Sequence, residues 1–156
     1  MASTYVNNLR LEEIADGEQS GTWGQTTNTN LELIADAFGY GTEAIASDAN
    51  STITMADGTA DGVRAMYLKI TSGVSLTATR TVTLAPSTVS KIWFIENATS
   101  GSQTIEIVSS GTNPSIPNGE TKVIYTDGSG AAVDAFSSLT LSSGTIESGV
   151  TVEKSP

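Results

Sequence analysis

The chain has 156 residues, enough for one domain with a proper core, and a formal net charge of −10 from 17 acidic and 7 basic side chains. So few cations cannot form the positive footprint that a phosphate backbone or an anionic bilayer requires, which excludes nucleic acid and membrane surfaces as partners. With neither cysteine nor histidine, the chain has no disulfide framework, no thiolate or imidazole metal site and no serine–histidine–aspartate triad.

Only 15% of residues are charged, below the ordinary ~25%. Serine, threonine and 15 glycines supply the missing polarity, a mix that favours β structure with many turns. Residues 1–10 lack an apolar signal core, and no apolar run approaches the roughly 20 residues of a membrane span. The expectation is a soluble product made in the cytoplasm.

Residues 1–41 read as a helical attachment segment. Leu9, Leu11 and Ile14, set among Arg10, Glu12 and Glu13, suggest a short helical or extended docking piece. Gly21-Thr22-Trp23-Gly24 reads as a turn holding an aromatic hinge. Packing of the Trp23 ring between helix and sheet is its plainer role, and an intersubunit anchor is the other. Thr27 to Asn30 offers several helix N-caps. Leu31, Ile34, Ala35 and Phe38 then recur at i, i+3, i+4 and i+7, which predicts an amphipathic helix with Glu32 in its first turn. Gly39 and Gly41 stop it. One face of this helix must be covered, by the β-domain or by a neighbouring chain.

From Thr42 the period changes to two, and residues 42–136 read as a β body. Ile53 and Met55 lead to the Asp57-Gly58 turn. Met66, Leu68 and Ile70 form the next alternating run, and Val74, Leu76 and Ala78 continue it. Val82 and Leu84 follow before Pro86. Ile92-Trp93-Phe94-Ile95 is a continuous apolar run, as in a strand buried on both faces, with Trp93 in the core. Ile105 and Ile107, then Val123 and Tyr125, complete the set, punctuated by Asn118-Gly119 and Asp127-Gly128. No internal repeat is evident. Short strands between regular turn signals predict a mainly β fold, an antiparallel sandwich or jelly roll with a short N-terminal helical segment. Residues 137–156, with Leu139, Leu141, Ile146, Val150 and Val152, are too sparse for a core and read as an extended arm that pairs with another sheet edge.

The remaining chemistry is thin. Asp57, Asp61, Asp127 and Asp134 leave a paired-carboxylate hydrolase formally open, but the first three precede glycine, which is what a tight turn wants. The loop from Asp57 to Gly62 supplies two carboxylates that calcium could use, without the alternating ligands and closing Glu of an EF-hand. Asn50-Ser51-Thr52 and Asn97-Ala98-Thr99 match the glycosylation sequon incidentally, and Gly128-Ser129-Gly130 lacks the lysine of a phosphate loop. No catalytic, cofactor-binding or metal residue is expected.

Tyr5-Val6-Asn7-Asn8-Leu9-Arg10-Leu11, Gly17-Glu18, the run from Ser20 to Gly24 and Thr27-Asn28-Thr29-Asn30-Leu31-Glu32-Leu33-Ile34 form a distinctive N-terminal pattern. With Ser90 to Asn97, Ser100 to Gln103, Ile116 to Gly119 and Tyr125 to Gly128, it resembles a module recurrent in tail-fibre and other virion proteins of tailed bacteriophages, especially marine ones. The resemblance spans about residues 3–141. It implies a virion component and an oligomer, with a trimer as the expected state, and no enzyme. In longer relatives, segments like Leu139-Thr140-Leu141-Ser142 begin a fibrous stalk. This chain ends at Pro156, so a fibre and a short head- or tail-bound knob both remain open.

The expected function is that of a non-enzymatic phage structural protein, located in the virion and attached to other tail or capsid proteins through residues 5–38. The alternatives are a capsid decoration protein and, more weakly, a receptor module for a host surface glycan. The candidate attachment and interface residues are Tyr5, Leu9, Leu11, Trp23, Leu31, Ile34 and Phe38, with Leu139, Leu141, Val150 and Val152 in the arm.

Overall fold

One helix precedes nine strands in the computed structural model, which describes residues 2–109 and 113–137. Helix α1 spans Trp23–Ala37. The strands are β1 (Tyr40–Ile45), β2 (Ser51–Thr54), β3 (Tyr67–Ser72), β4 (Arg80–Ala85), β5 (Ser90–Asn97), β6 (Ile105–Val108), β7 (Ser115–Ile116), β8 (Thr121–Asp127) and β9 (Ala132–Asp134). They form two mixed sheets, ordered β1-β3-β5-β8-β9 and β2-β4-β6-β7.

From β1 to β6 successive strands alternate between the sheets, and each of β1 to β4 pairs parallel with the strand two places on. Thus β1, β3 and β5 are parallel neighbours in one sheet, and β2, β4 and β6 in the other. The chain therefore winds through three turns, each laying one strand in each sheet. In the first sheet the offset between turns is constant: Tyr40 lies opposite Tyr67, and Tyr67 opposite Phe94. Only the last strands reverse, with β8 antiparallel to β5, β9 to β8 and β7 to β6.

Two expectations are corrected here. The body is not antiparallel throughout, and the chain does carry an internal structural repeat. Parallel strands usually sit under helices on both faces and are apolar all along. These strands bury one face only, so they keep the in–out alternation of an antiparallel sheet. Leu68 and Ile70 of β3, Val82 and Leu84 of β4, and Ile105 and Ile107 of β6 meet in one core with Ile45, Ile53, Met55 and Ile116.

Trp93 is buried in that core, as expected, and its indole N–H donates to the Val63 carbonyl at 2.7 Å. Its neighbours Ile92 and Phe94 point outward and are exposed, so β5 is not buried on both faces. In β8 the inward residues are Ile124 and Thr126; Tyr125 is exposed and Val123 half-buried, one residue out of phase with the predicted pattern. The Val74–Ala78 run is not a strand: Val74 is exposed, while Leu76 is buried in the connection between β3 and β4. The turns at Asp57-Gly58, Asn118-Gly119 and Asp127-Gly128 are present, each glycine at positive φ.

Helix α1 begins nine residues before Glu32, so that carboxylate sits well inside the helix rather than in the first turn. Thr22 is the N-cap residue, without a side-chain cap bond, and Trp23 and Gly24 form the opening of the helix rather than a turn. The residues buried by the rest of the chain are Leu33 and Ala37. The predicted buried stripe lies beside them on the helix surface and faces outward.

Candidate functional site

Residues 2–22 form no helix. Thr4 and Glu13 bridge the two arms of a loop whose tip is held by Asn7: its Oδ1 accepts the N–H groups of Leu9 and Leu11, and its Nδ2 donates to the Leu11 carbonyl. This suits asparagine, whose short amide mimics a backbone turn. Tyr5, Leu9 and Leu11 are half-buried inside the segment.

Polar contacts hold the loop to the body. Arg10 pairs with Asp57 through Nη2 at 2.6 Å and Nε at 2.7 Å, and its carbonyl accepts the Gly58 N–H at 2.8 Å. Asn8 Oδ1 accepts the Ser90 N–H at the start of β5. The Tyr5 ring closes over Gly58, where an added Cβ would stand 2.8 Å from the ring. Burial, followed by the nearby Glu12 and Asp57 carboxylates, raises the Tyr5 phenol above its ordinary pKa. Asn30 clamps the helix to the loop: its Oδ1 accepts the Glu12 N–H and its Nδ2 donates to the Glu12 carbonyl, at 3.0 and 2.9 Å.

The helix thus sits at a defined place, with apolar side chains turned to solvent. Trp23 is 63% exposed, Leu31 59%, Ile34 37% and Phe38 72%. At about 100° per residue these four lie within one arc of about 80°, beside the buried Leu33–Ala37 stripe and across the helix from Glu32 and Asp36. The reading of Trp23 as a plug between helix and sheet is corrected: with no residue before it in the helix, its ring extends from the first turn into solvent. Of the predicted attachment residues, the structure groups Trp23, Leu31, Ile34 and Phe38 on one face and leaves Tyr5, Leu9 and Leu11 in the loop. Leu139, Leu141, Val150 and Val152 lie outside the described residues.

Two further features carry little signal in the sequence. On the outer face of the first sheet, Tyr40 and Tyr67 stack with centroids 5.4 Å apart and planes 13° apart, and Phe94 stands next in register. Tyr67 Oη donates to Glu96, which also pairs with Lys69. The aromatic offset between strands was the legible clue.

The second feature is a pair of cations, Arg64 in the β2–β3 connection and Lys91 on β5. Arg64 is fully buried; its Nη2 donates to the Ala56 and Thr59 carbonyls and to Asp61, while Nε and Nη1 find no partner among the described residues. Lys91 lies over the Trp93 ring at 4.9 Å and donates to the Ala65 and Ile92 carbonyls. Burial, and secondarily the Arg64 charge, depresses its amine from 10.5 to about 8, against the pull of Asp61.

The folded state therefore disfavours protonated Lys91. Stability should rise with pH between about 8 and 10.5, where the unfolded chain still holds the proton, and lie flat below that window. Lys91→Met should remove the slope and raise stability at neutral pH by about 1–2 kcal/mol, a figure discounted because water still reaches the amine. Urea melts of both proteins on either side of pH 8 check this, and parallel curves would refute it.

The acidic residues are engaged elsewhere. Asp57 is held by Arg10. Asp61 accepts the Ala56 and Arg64 N–H groups as well as the guanidinium. Asp127 accepts the Ser129 hydroxyl and N–H, which lower its pKa, and Asp134 pairs with Lys122. Among the described residues no group of three or more acidic side chains forms a metal site, and no helix is long and apolar enough to cross a membrane. What the helix presents is exposed aromatic and aliphatic surface. The chain matches no family model, no curated protein and no solved structure.

Proposed function

We propose that this chain is a non-enzymatic structural protein of a tailed-phage particle, a tail-fibre-like appendage that attaches through its N-terminal segment and assembles with copies of itself. The observation that carries the reading is the exposed stripe Trp23, Leu31, Ile34 and Phe38 on a helix fixed to the body by Asn30 and Arg10. A stripe of that size is normally buried against a partner. The resemblance of the N-terminal pattern to virion modules supplies the class of partner, a tail or capsid protein. The two-sheet body, read as sandwich-like, is the displayed part, and residues 137–156 are the arm that ties neighbouring subunits.

Trp23→Ala tests it. The side chain meets solvent, so the variant should melt within a degree or two of the wild type, while its amount in purified particles falls about tenfold or more. Quantitative mass spectrometry of particles, beside a thermal melt, reads both. Unchanged incorporation counts against attachment through this face.

One observation favours a second reading. Tyr40, Phe94 and Tyr125 are exposed on the outer sheet face, beside hydroxyls of Thr42 and Thr121. That surface suits a receptor module for a neutral host glycan, and binding on a glycan array would support it.

A further inference from the structure

Within the exposed stripe, Thr27, Leu31, Ile34 and Phe38 are spaced by four, three and four residues, the a/d spacing of a helix that packs against a helix. Trp23 flanks the seam one turn before Thr27. The seam is separate from the Leu33–Ala37 stripe, which the chain covers itself. From these features we infer that the first partner of this face is a second copy of the same chain, helix against helix. The inference rests on reading the N-terminal segment as the attachment surface, and it names what that surface meets first.

Charge and area both fit this occupant. Each chain carries ten net negative charges, so two copies repel at long range. The seam itself holds no ionisable group, and Glu32 and Asp36 lie on the opposite side of the helix. Self-packing therefore brings no carboxylates face to face. The exposed parts of the four large side chains come to roughly 500 Å² per copy. Two copies thus bury close to the ~1,000 Å² total that a specific interface needs. An interface of this size, opposed by net charge, is reversible and strengthens as salt screens the repulsion.

Sedimentation of the purified full chain at tens of micromolar, in about 0.05 M and about 0.5 M NaCl, is the direct test. The expected result is a concentration-dependent oligomer, several-fold tighter at the higher salt. Leu31→Glu with Ile34→Glu sets like charges in the seam and should weaken association about tenfold or more, with circular dichroism and melting unchanged because both positions face solvent. Should that double variant fail to fold, Thr27→Leu decides. Filling the polar seam position tightens association if copies meet there, and unchanged affinity overturns the inference. A wild-type monomer at both salts overturns it too, and assigns the face to a different protein. A monomer whose Trp23→Ala variant is still excluded from particles ends this inference alone. An oligomer never found in particles keeps it and ends the attachment reading.

Discussion

Gly41→Ala should cost this domain about 3 kcal/mol or more and lower its melting temperature by roughly 10 °C. An added Cβ at Gly41 would stand 2.0 Å from the Gly62 carbonyl oxygen and 2.8 Å from the Gly62 carbonyl carbon and Cα. These are backbone atoms, so no rotamer change relieves the clash. Gly62 cannot retreat freely. Its N–H donates to Glu43 Oε1 at 3.0 Å, and a Cβ there would meet the Thr42 carbonyl at 2.4 Å. The β2–β3 connection therefore runs in backbone contact with β1, and both glycines are needed for the approach. Neither needs positive φ. Gly24→Ala is the internal control: it lies in the helix with nothing within 4 Å, so alanine should stabilise there by up to about 1 kcal/mol. Opposite signs for two Gly→Ala changes, read by urea denaturation, separate close packing from general glycine entropy. A neutral Gly41→Ala would show that the connection does not lie against β1.

The turn chemistry was legible because Asp57-Gly58, Asn118-Gly119 and Asp127-Gly128 each need a glycine that tolerates left-handed backbone, and that need is local. Strand content was legible too, since period-two alternation reports one buried face whatever the partner strand. Pairing direction was not. An alternating strand reads as antiparallel by habit, and only the recurrence Tyr40, Tyr67, Phe94 betrays the parallel winding. That recurrence is weak in sequence because the constant offset holds in one sheet only. In the second sheet β2 and β4 set Ser51 opposite Val82, whereas β4 and β6 set Arg80 opposite Ile105.

The helix shows a different failure. The strongest apolar periodicity, Leu31, Ile34, Phe38, was legible as a stripe, but its partner was not. The domain covers the neighbouring pair Leu33 and Ala37 instead, and periodicity alone cannot say which of two adjacent stripes faces home. The stripe left over is the one exposed to solvent, and the proposed attachment rests on it. The Arg64–Lys91 pair had no signal at all, because Arg64 in a Gly- and Asp-rich connection and Lys91 at the start of a strand both read as solvated until the fold buries the first and lays the second over Trp93.

Asn97→Leu should destabilise the domain by about 3–4 kcal/mol, although leucine has the same branched heavy-atom skeleton as asparagine and is the more apolar of the two. Asn97 is fully buried at the end of β5 and satisfies groups from two other segments, the connection after β5 and β7. Its Nδ2 donates to the Gln103 and Ile116 carbonyls at 2.9 and 2.8 Å, and its Oδ1 accepts the Thr99 N–H and hydroxyl at 3.2 and 2.7 Å. Leucine would strand two carbonyls, an N–H and a hydroxyl around a fully buried position. Asn97→Asp separates hydrogen bonding from shape. Its acceptor oxygen still serves Thr99, but the other oxygen faces two carbonyls and needs a proton to bond either. Burial and those carbonyls hold the new carboxyl's folded pKa above its unfolded ~3.9, so the variant is most stable below that value and loses stability as pH rises through the folded pKa. Leucine shows no such trend. Denaturant melts at about pH 3.5 and about pH 7 should therefore find Asn97→Asp close to Asn97→Leu at the higher pH and better at the lower one. If the two variants track each other across that range, Asn97 acts by filling space, and the corner joining β5, β7 and the connection after β5 is held by apolar packing alone.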